Sequence, residues 1–478
     1  MSLNDRSFAY AQLGYLLIVA LTLILLPGAS FFPTLIAMAG VWIVTALCYQ
    51  ATAARNSAGW WTLLIAATAL AVGVIANIHF FTAAQGAETT APVLQNIDAR
   101  ANFDSAQSLL GLGDAAHSPR SLGYPLFISA IWHITGITIV APLIINMLMI
   151  LLTAITCGTI TVRLLSAENN RHSRQWLQSC AIIMTVAVCY LMTTATILVK
   201  DAGICLSMAM TGLGLTIQTV PPATAKSSWR LWSAFAIGII GVATFRPHYL
   251  FIVIPAIIIT TPWRHCSGVT FRRFLIMSGA TIIVWTANNW LLIEVWDKYS
   301  LGIAYMPEVL AESFTDTGHP QHAYHSMLFK DYYQMPLWHR LLWLPANAAL
   351  IYLIPFPWDF SRYIDFGYTY IYAKIAYPWY AIGGMILFYF LFLWCRSSKP
   401  LKLLTIAAAI LWLIPAYITA GSVSRYVLPL VVWLIPAAVT VSDRYVTSRR
   451  FRIFAICYCA LLTAVLTICY HMQHLAIR

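Results

Sequence analysis

Apolar runs of about 15 to 25 residues recur along the whole chain, broken by short polar turns, and each is close to the roughly 20 residues that cross a hydrocarbon core as a helix. They cover about Tyr10 to Phe31, a second run ending at Gln50, Gly59 to Phe81, Thr138 to Leu165, Trp176 to Leu198, Gly203 to Val220, and runs ending at Phe245 and Trp263. Beyond them lie Phe274 to Leu292, Pro378 to Cys395, Leu403 to Thr419, Val427 to Val441 and Ile453 to His471. The pattern predicts an all-α polytopic membrane protein of about 13 spans in a single transmembrane domain. One run, Tyr124 to Gly136, is too short to span and is expected to lie along the interface. Two polar stretches interrupt the series, about 82–136 and about 294–377, and the first 58 residues form two helices ahead of the span that leads into the first of them.

Composition fits this reading: 60% of residues are hydrophobic and 9% charged, with a mean hydropathy of +0.76, far from soluble proteins, where about a quarter of residues are charged. The net charge of +12 must therefore be sorted by membrane side before it is given a meaning. With a cytoplasmic N-terminus, most of the 28 Lys and Arg residues crowd the short inner turns, among them Arg55, Arg163, Arg171, Arg174, Lys226, Arg230, Arg264, Arg272, Arg273, Arg449, Arg450 and Arg452. Of the 16 acidic residues, only Asp5, Glu168 and Asp443 fall inside. This is the positive-inside bias, and it removes any need for a nucleic-acid partner. The first run ends in Pro-Gly without a small-residue cleavage pattern and is expected to remain as a helix. The ten cysteines fall in apolar segments or at their inner ends, as reduced, buried small hydrophobes do.

Chemistry concentrates on the outer side. The stretch NIDARANFDSAQSLLGLGDAAHSPRSLGYP, Asn96 to Pro125, carries Asp98, Asp104 and Asp114 with Arg100, His117 and Arg120. Lys200, Asp201, Arg246, His248 and Arg425 all fall at outer helix ends, at headgroup depth. A carboxylate can take a proton from an acceptor hydroxyl while Arg and Lys hold a departing phosphate. That is the requirement of a transferase with a membrane-embedded phosphate donor. Each of these groups also has a plainer role to weigh against it, as a solvated connector or a headgroup anchor. His319, His322 and His325 are spaced three apart, but Pro320 argues against one regular helix through them, so metal ligands remain unassigned.

The sequences FDSAQSLLGLG and HSPRSLGYPLFISAIWHITG resemble the first outer loop and following half-helix of GT-C-type glycosyltransferases. Aminoarabinose lipid A transferases and protein mannosyltransferases are members of that superfamily. On this resemblance Asp104 matches the loop acid, and Gly123-Tyr124-Pro125-Leu126 matches the Pro-initiated membrane-dipping segment. Lys200-Asp201 is similar to a second acidic position, Arg246-Pro247 to an outer Arg-Pro, and Ser424-Arg425-Tyr426 to a late Arg-Tyr signature. The likeness covers roughly residues 60 to 440 and departs in two places: two helices precede the usual first one, and Gln107 and Ser108 stand where a Tyr is usual. The choice of base between Asp98 and Asp104 therefore stays open.

The resemblance implies an inverting sugar transfer from a polyprenyl-phosphate donor to a cell-envelope lipid, glycan or protein, on the outer face of a bacterial inner membrane. Asp104, Asp98 or Asp201 would act as catalytic acids or bases. Arg120, Lys200, Arg246 and Arg425 would hold the donor phosphate, and His117, Tyr124, His248 and Tyr426 would line the substrate. A divalent metal is compatible with this chemistry but not required by it. A polymerase or ligase of lipid-linked oligosaccharides would use similar loops. A lipid or solute transporter is the rival of another class, although transporters place ionisable groups near the midplane, whereas charges here keep to the helix ends.

Overall fold

The computed structural model describes residues 3–26, 30–51, 57–83, 97–112, 123–165, 173–187, 200–263, 267–299, 336–353, 389, 399–418 and 428–476. The described residues form helices joined by turns. In chain order these are α1 (Leu3–Leu25), α2 (Phe31–Gln50), α3 (Ser57–Ala83), α4 (Ile97–Leu109), α5 (Gly123–Thr135), α6 (Val140–Leu165), α7 (Arg174–Ala187), α8 (Asp201–Thr219) and α9 (Ala225–Phe245). A 3₁₀ turn (Pro247–Tyr249) leads into α10 (Leu250–Thr260), α11 (Gly268–Tyr299), α12 (Leu337–Leu353), α13 (Lys399–Ile418), α14 (Leu428–Arg444) and α15 (Arg449–Ala476). Among the described residues, eight helices are long and apolar enough to cross a membrane: the protein is a multi-pass membrane protein.

Helices α6, α8 and α14 form the centre. Their side chains are buried nearly all round, as helices enclosed by other helices must be. Trp433 of α14 donates its indole N–H to the Met208 carbonyl of α8 at 2.7 Å, and Thr156 of α6 meets Met210 of α8 at the same level. The closest pair is α8 with α9. Small residues set their separation: a Cβ at Gly238 would fall 2.4 Å from the Thr211 hydroxyl, so the backbones approach through a small-residue seam. Helices α11 and α15 expose most of their apolar surface, which suits contact with lipid.

Cross-chain contacts sort the helix ends into two sets. At one end Asp201 meets Arg246, and Tyr124 meets Asn146. At the other, Arg163 donates through Nε to the Thr216 hydroxyl at 2.7 Å and through Nη2 to the Val220 carbonyl, Arg273 donates to the Ile217 carbonyl at 2.8 Å, and Thr261 bonds Gln218. The first set holds residues that the charge count groups at one membrane face, and the second those it groups at the other. The two arginines satisfy carbonyls left open at the α8 C-terminus, where the helix dipole favours cations.

Several boundaries differ from the sequence expectation. Helix α11 extends through Tyr299, past Leu292, so the second outer stretch begins later than about residue 294. Its last residues, Ile293-Glu294-Val295-Trp296-Asp297-Lys298-Tyr299, are polar and aromatic but contain neither Pro nor Gly to stop a helix. Helix α8 begins at Asp201, where an acid in the first turn complements the N-terminal dipole. The expected span Pro378 to Cys395, apart from Tyr389, lies outside the described residues.

Candidate functional site at the Asp201 end of the bundle

The site is built where α5, α6, α8 and α9 end together. Helix α9 stops at Phe245 because Pro247 disfavours helical backbone at Arg246, which has φ −159° and ψ 77°. The chain then turns tightly, with the Tyr249 N–H donating to the Arg246 carbonyl at 2.9 Å. This turn holds Arg246 under the start of α8. Arg246 Nη1 lies 3.8 Å from Asp201 Oδ1, with side chains 8% and 4% exposed. The guanidinium carbon also lies 5.0 Å from the ring centroid of Tyr249, within the range of a cation–π contact.

Helix α5 starts against the last turn of α9, near this pair. Its first residue has no alternative: a Cβ at Gly123 would fall 1.7 Å from the Thr244 carbonyl oxygen, so only glycine lets α5 start against the last turn of α9. Tyr124 is then fully buried, with its ring centroid 6.2 Å from that of Phe245. It exchanges hydrogen bonds with Asn146 of α6, where Nδ2 donates to the phenol oxygen at 2.9 Å. Burial raises the Tyr124 pKa above its ordinary range, the Asn146 bond opposes the rise, and the negative charge of Asp201 adds to it. Tyr124 with Asn146 and Asp201 with Arg246 thus form two buried polar pairs, close enough for Asp201 to act electrostatically on Tyr124.

The pair is electrostatic without being a tight fork. Charge-assisted N–H···O bonds run at about 2.7 to 2.9 Å, well short of the 3.8 Å here. Asp201 Oδ1 accepts no hydrogen bond from a described residue. A carboxylate oxygen held this way inside a membrane protein keeps its acceptor capacity for a hydroxyl. A buried ionisable pair of this kind is a functional-site candidate.

Helix α4 packs along α5, with Phe103 against Trp132 at 5.0 Å between ring centroids. Asp104, next to Phe103, is half-buried midway along α4, whereas the resemblance puts the acid at the start of the loop helix; Asp98 occupies the first turn instead. The two stand six residues apart, about 240° round the helix, so they fall on different faces. Position 98 falls in register with the buried Asn102 and Ser105. Trp132, the partner of Phe103, lies about two turns along α5 from Tyr124, some 12 Å by helical rise.

Of the remaining sequence candidates, Lys200 occupies the residue before α8 and is half-buried. The backbone of His248 lies in the 3₁₀ turn, and its side chain, like that of Asp98, lies outside the described residues. His117, Arg120, Arg425 and Tyr426 lie outside them entirely, as do His319, His322 and His325. No cluster of three metal-ligating side chains occurs among the described residues. Sequence reading missed Asn146 and Tyr249. Asn146 was the only amide within the run from Thr138 to Leu165, and that was its signal; Tyr249 was hidden in a turn.

No protein-family model, no curated protein and no solved structure matches this chain.

Proposed function

We propose that this protein is a GT-C-type glycosyltransferase of about 13 spans in a bacterial inner membrane. It transfers a sugar from a polyprenyl-phosphate donor to a cell-envelope acceptor on the outer face. The observation that carries the reading is the buried Asp201–Arg246 pair, at helix ends rather than at the midplane, near the start of α5, on which the acid-bearing α4 packs. Its position at the ends favours headgroup chemistry over coupled transport, which places ionisable groups deep in the bilayer.

In the proposed reaction the acceptor hydroxyl oxygen bonds to the anomeric carbon from the face opposite the phosphate. The bond from that carbon to the phosphate oxygen breaks, and the hydroxyl proton passes to an Asp carboxylate, Asp104 or Asp98. Arg246, with Lys200, Arg120 and Arg425, offsets the charge that develops on the departing polyprenyl phosphate. Asp201 accepts a hydrogen bond from a sugar hydroxyl, and Tyr124 contacts the substrate. Positioned general-base catalysis contributes about 10²- to 10⁴-fold.

The test is mass spectrometry of envelope glycans and lipids from a deletion strain complemented with wild type, Asp104→Asn, Asp98→Asn or Arg246→Gln at matched expression. A defined sugar mass lost on deletion, restored by wild type and absent with Arg246→Gln supports the reading. An unchanged glycan profile on deletion overturns it and favours transport.

A further inference from the structure

Helix α11 sorts its residues by side. Ile282, Ile283 and Trp290 are exposed, whereas Met277 and Thr281 are buried, and Trp285 and Asn288 continue the line of the buried pair at helical spacing. On this inner side the indole nitrogen of Trp285 and the amide nitrogen of Asn288 are closed off from solvent, and neither meets a hydrogen-bond partner among the described residues. A buried donor without a partner is costly, and native structures hold few of them. Two on neighbouring positions of one helix face match a ligand that brings acceptor oxygens.

Packing places this face against the turn that carries Arg246. Helix α11 packs on α9 and on α10, the two helices that this turn joins. Two ring contacts fix an antiparallel register between α11 and the chain of α10. Trp263, just past α10, lies 5.0 Å from Phe274, and Phe251 lies 5.5 Å from Trp285, centroid to centroid. Asn288 stands about 4.5 Å by helical rise beyond Trp285, which the same register sets level with residues 247–249. That is the turn in which Tyr249 meets the Arg246 guanidinium.

We propose that Trp285 and Asn288 donate hydrogen bonds to the phosphate oxygens of the lipid-linked donor, which enters along α11. This rests on the donor reading above and adds two contacts and an entry side to it. Indole N–H and amide NH₂ are donors, and an ionised phosphate offers acceptors, so the two sides match in kind. Arg246 supplies charge from the end of α9, while Trp285 and Asn288 supply neutral, directional bonds from the next helix. The exposed Ile282, Ile283 and Trp290 give the isoprenoid chain an apolar surface beside them, which a soluble anion would not use.

The full-length protein in detergent is titrated with C55 polyprenyl monophosphate, with phosphatidylglycerol and with inorganic phosphate, using native mass spectrometry. Wild type, Asn288→Leu, Trp285→Phe and Arg246→Gln are compared, with thermal unfolding measured alongside. Asn288→Leu is expected to weaken polyprenyl-phosphate binding about tenfold or more, as loss of a hydrogen bond to a charged group does. Its melting temperature without lipid is expected to stay level or rise, because the donor it removes has no protein partner. Trp285→Phe is expected to weaken binding similarly. In the wild-type protein, a C55 monophosphate analogue with a diazirine in its first isoprene unit is expected to label residues 282–290, with unmodified lipid displacing the label. That readout needs no variant to fold, and label confined to other segments overturns the inference. Unchanged affinity in folded Asn288→Leu and Trp285→Phe, with loss in Arg246→Gln, overturns it and leaves the donor reading standing. A melting temperature in Asn288→Leu that falls together with its affinity assigns Asn288 to packing and overturns it. An equal loss for phosphatidylglycerol assigns the pair to bulk headgroups, and an equal loss for inorganic phosphate assigns it to a soluble anion; both overturn it. A wild type that binds no polyprenyl phosphate overturns the inference and the donor reading together.

Discussion

The carboxylate of Asp201 and the guanidinium of Arg246 face each other across the ends of two adjacent helices at 3.8 Å, both nearly closed off from solvent. Replacing Arg246 takes from the buried Asp201 carboxylate the cation that faces it, and breaking a buried pair in this way costs about 3 to 5 kcal/mol, whereas replacing both is far milder. Arg246→Met is therefore expected to destabilise the protein strongly. The double variant Asp201→Asn/Arg246→Gln should fall well short of the sum of its single changes. Unfolding in mixed detergent micelles, read as a double-mutant cycle, checks this; strict additivity would show that the two charges do not interact.

The start of α5 should be intolerant of any side chain. With only 1.7 Å between a built Cβ and the Thr244 carbonyl oxygen, Gly123→Ala forces α5 off α9 and breaks the Tyr124–Asn146 bond. The expected loss is about 1 to 3 kcal/mol, within the range for overpacking. Gly73→Ala is the control, because nothing lies within 4 Å of its built Cβ. Melting temperatures of the two purified variants decide it, with a drop for Gly123→Ala alone expected.

How much of this could be read in advance depends on range. Helix α5 was legible because Gly-Tyr-Pro and Gly136, with φ of 73°, bracket a run too short to span. The span ends at Leu165, Phe245 and Gln50 were legible for the same local reason. The Asp201–Arg246 pair was visible only as two outer charges, since 44 intervening residues must fold into the α8–α9 hairpin before they meet. Asn146 acquires its role from Tyr124, on another helix. Arg340 was obscured by its neighbours: a stretch rich in Trp and Leu reads as an interfacial belt, and nothing local reveals which residue turns inward.

At the opposite end of α8, Arg163 and Arg273 cap its C-terminus by donating to its last carbonyls. Arg163→Met is expected to cost about 1 to 3 kcal/mol through the acceptors it leaves unsatisfied. Hydrogen exchange at 216–220 should rise more than exchange at 201–208. Uniform protection along α8 in the variant would show that the arginine anchors nothing.

The two acids of α4 can be separated by activity. If either is the base, its Asn variant should lose about 10²- to 10⁴-fold in transfer rate at unchanged melting temperature, while the other keeps most of it. Their placement about 240° apart means both cannot serve one substrate from the same face of α4. Initial rates with saturating donor check this, and equal, small losses would remove α4 from the chemistry.

Sidedness is tested by single cysteines placed on opposite ends. Leu112 follows α4 and is exposed, and Lys226 begins α9 and is exposed. In a cysteine-free background with activity retained, a membrane-impermeant maleimide added to intact cells should label Leu112→Cys and spare Lys226→Cys until the membrane is broken. The reverse pattern would invert the whole assignment.

Helix α12 exposes Trp338, Leu341, Leu342 and Trp343 and buries Arg340, and the described helix it packs on, α13, follows it in the chain. The surface on which α12 comes to rest is therefore synthesised after α12 itself, so the order of the chain makes their packing a step that waits for α13.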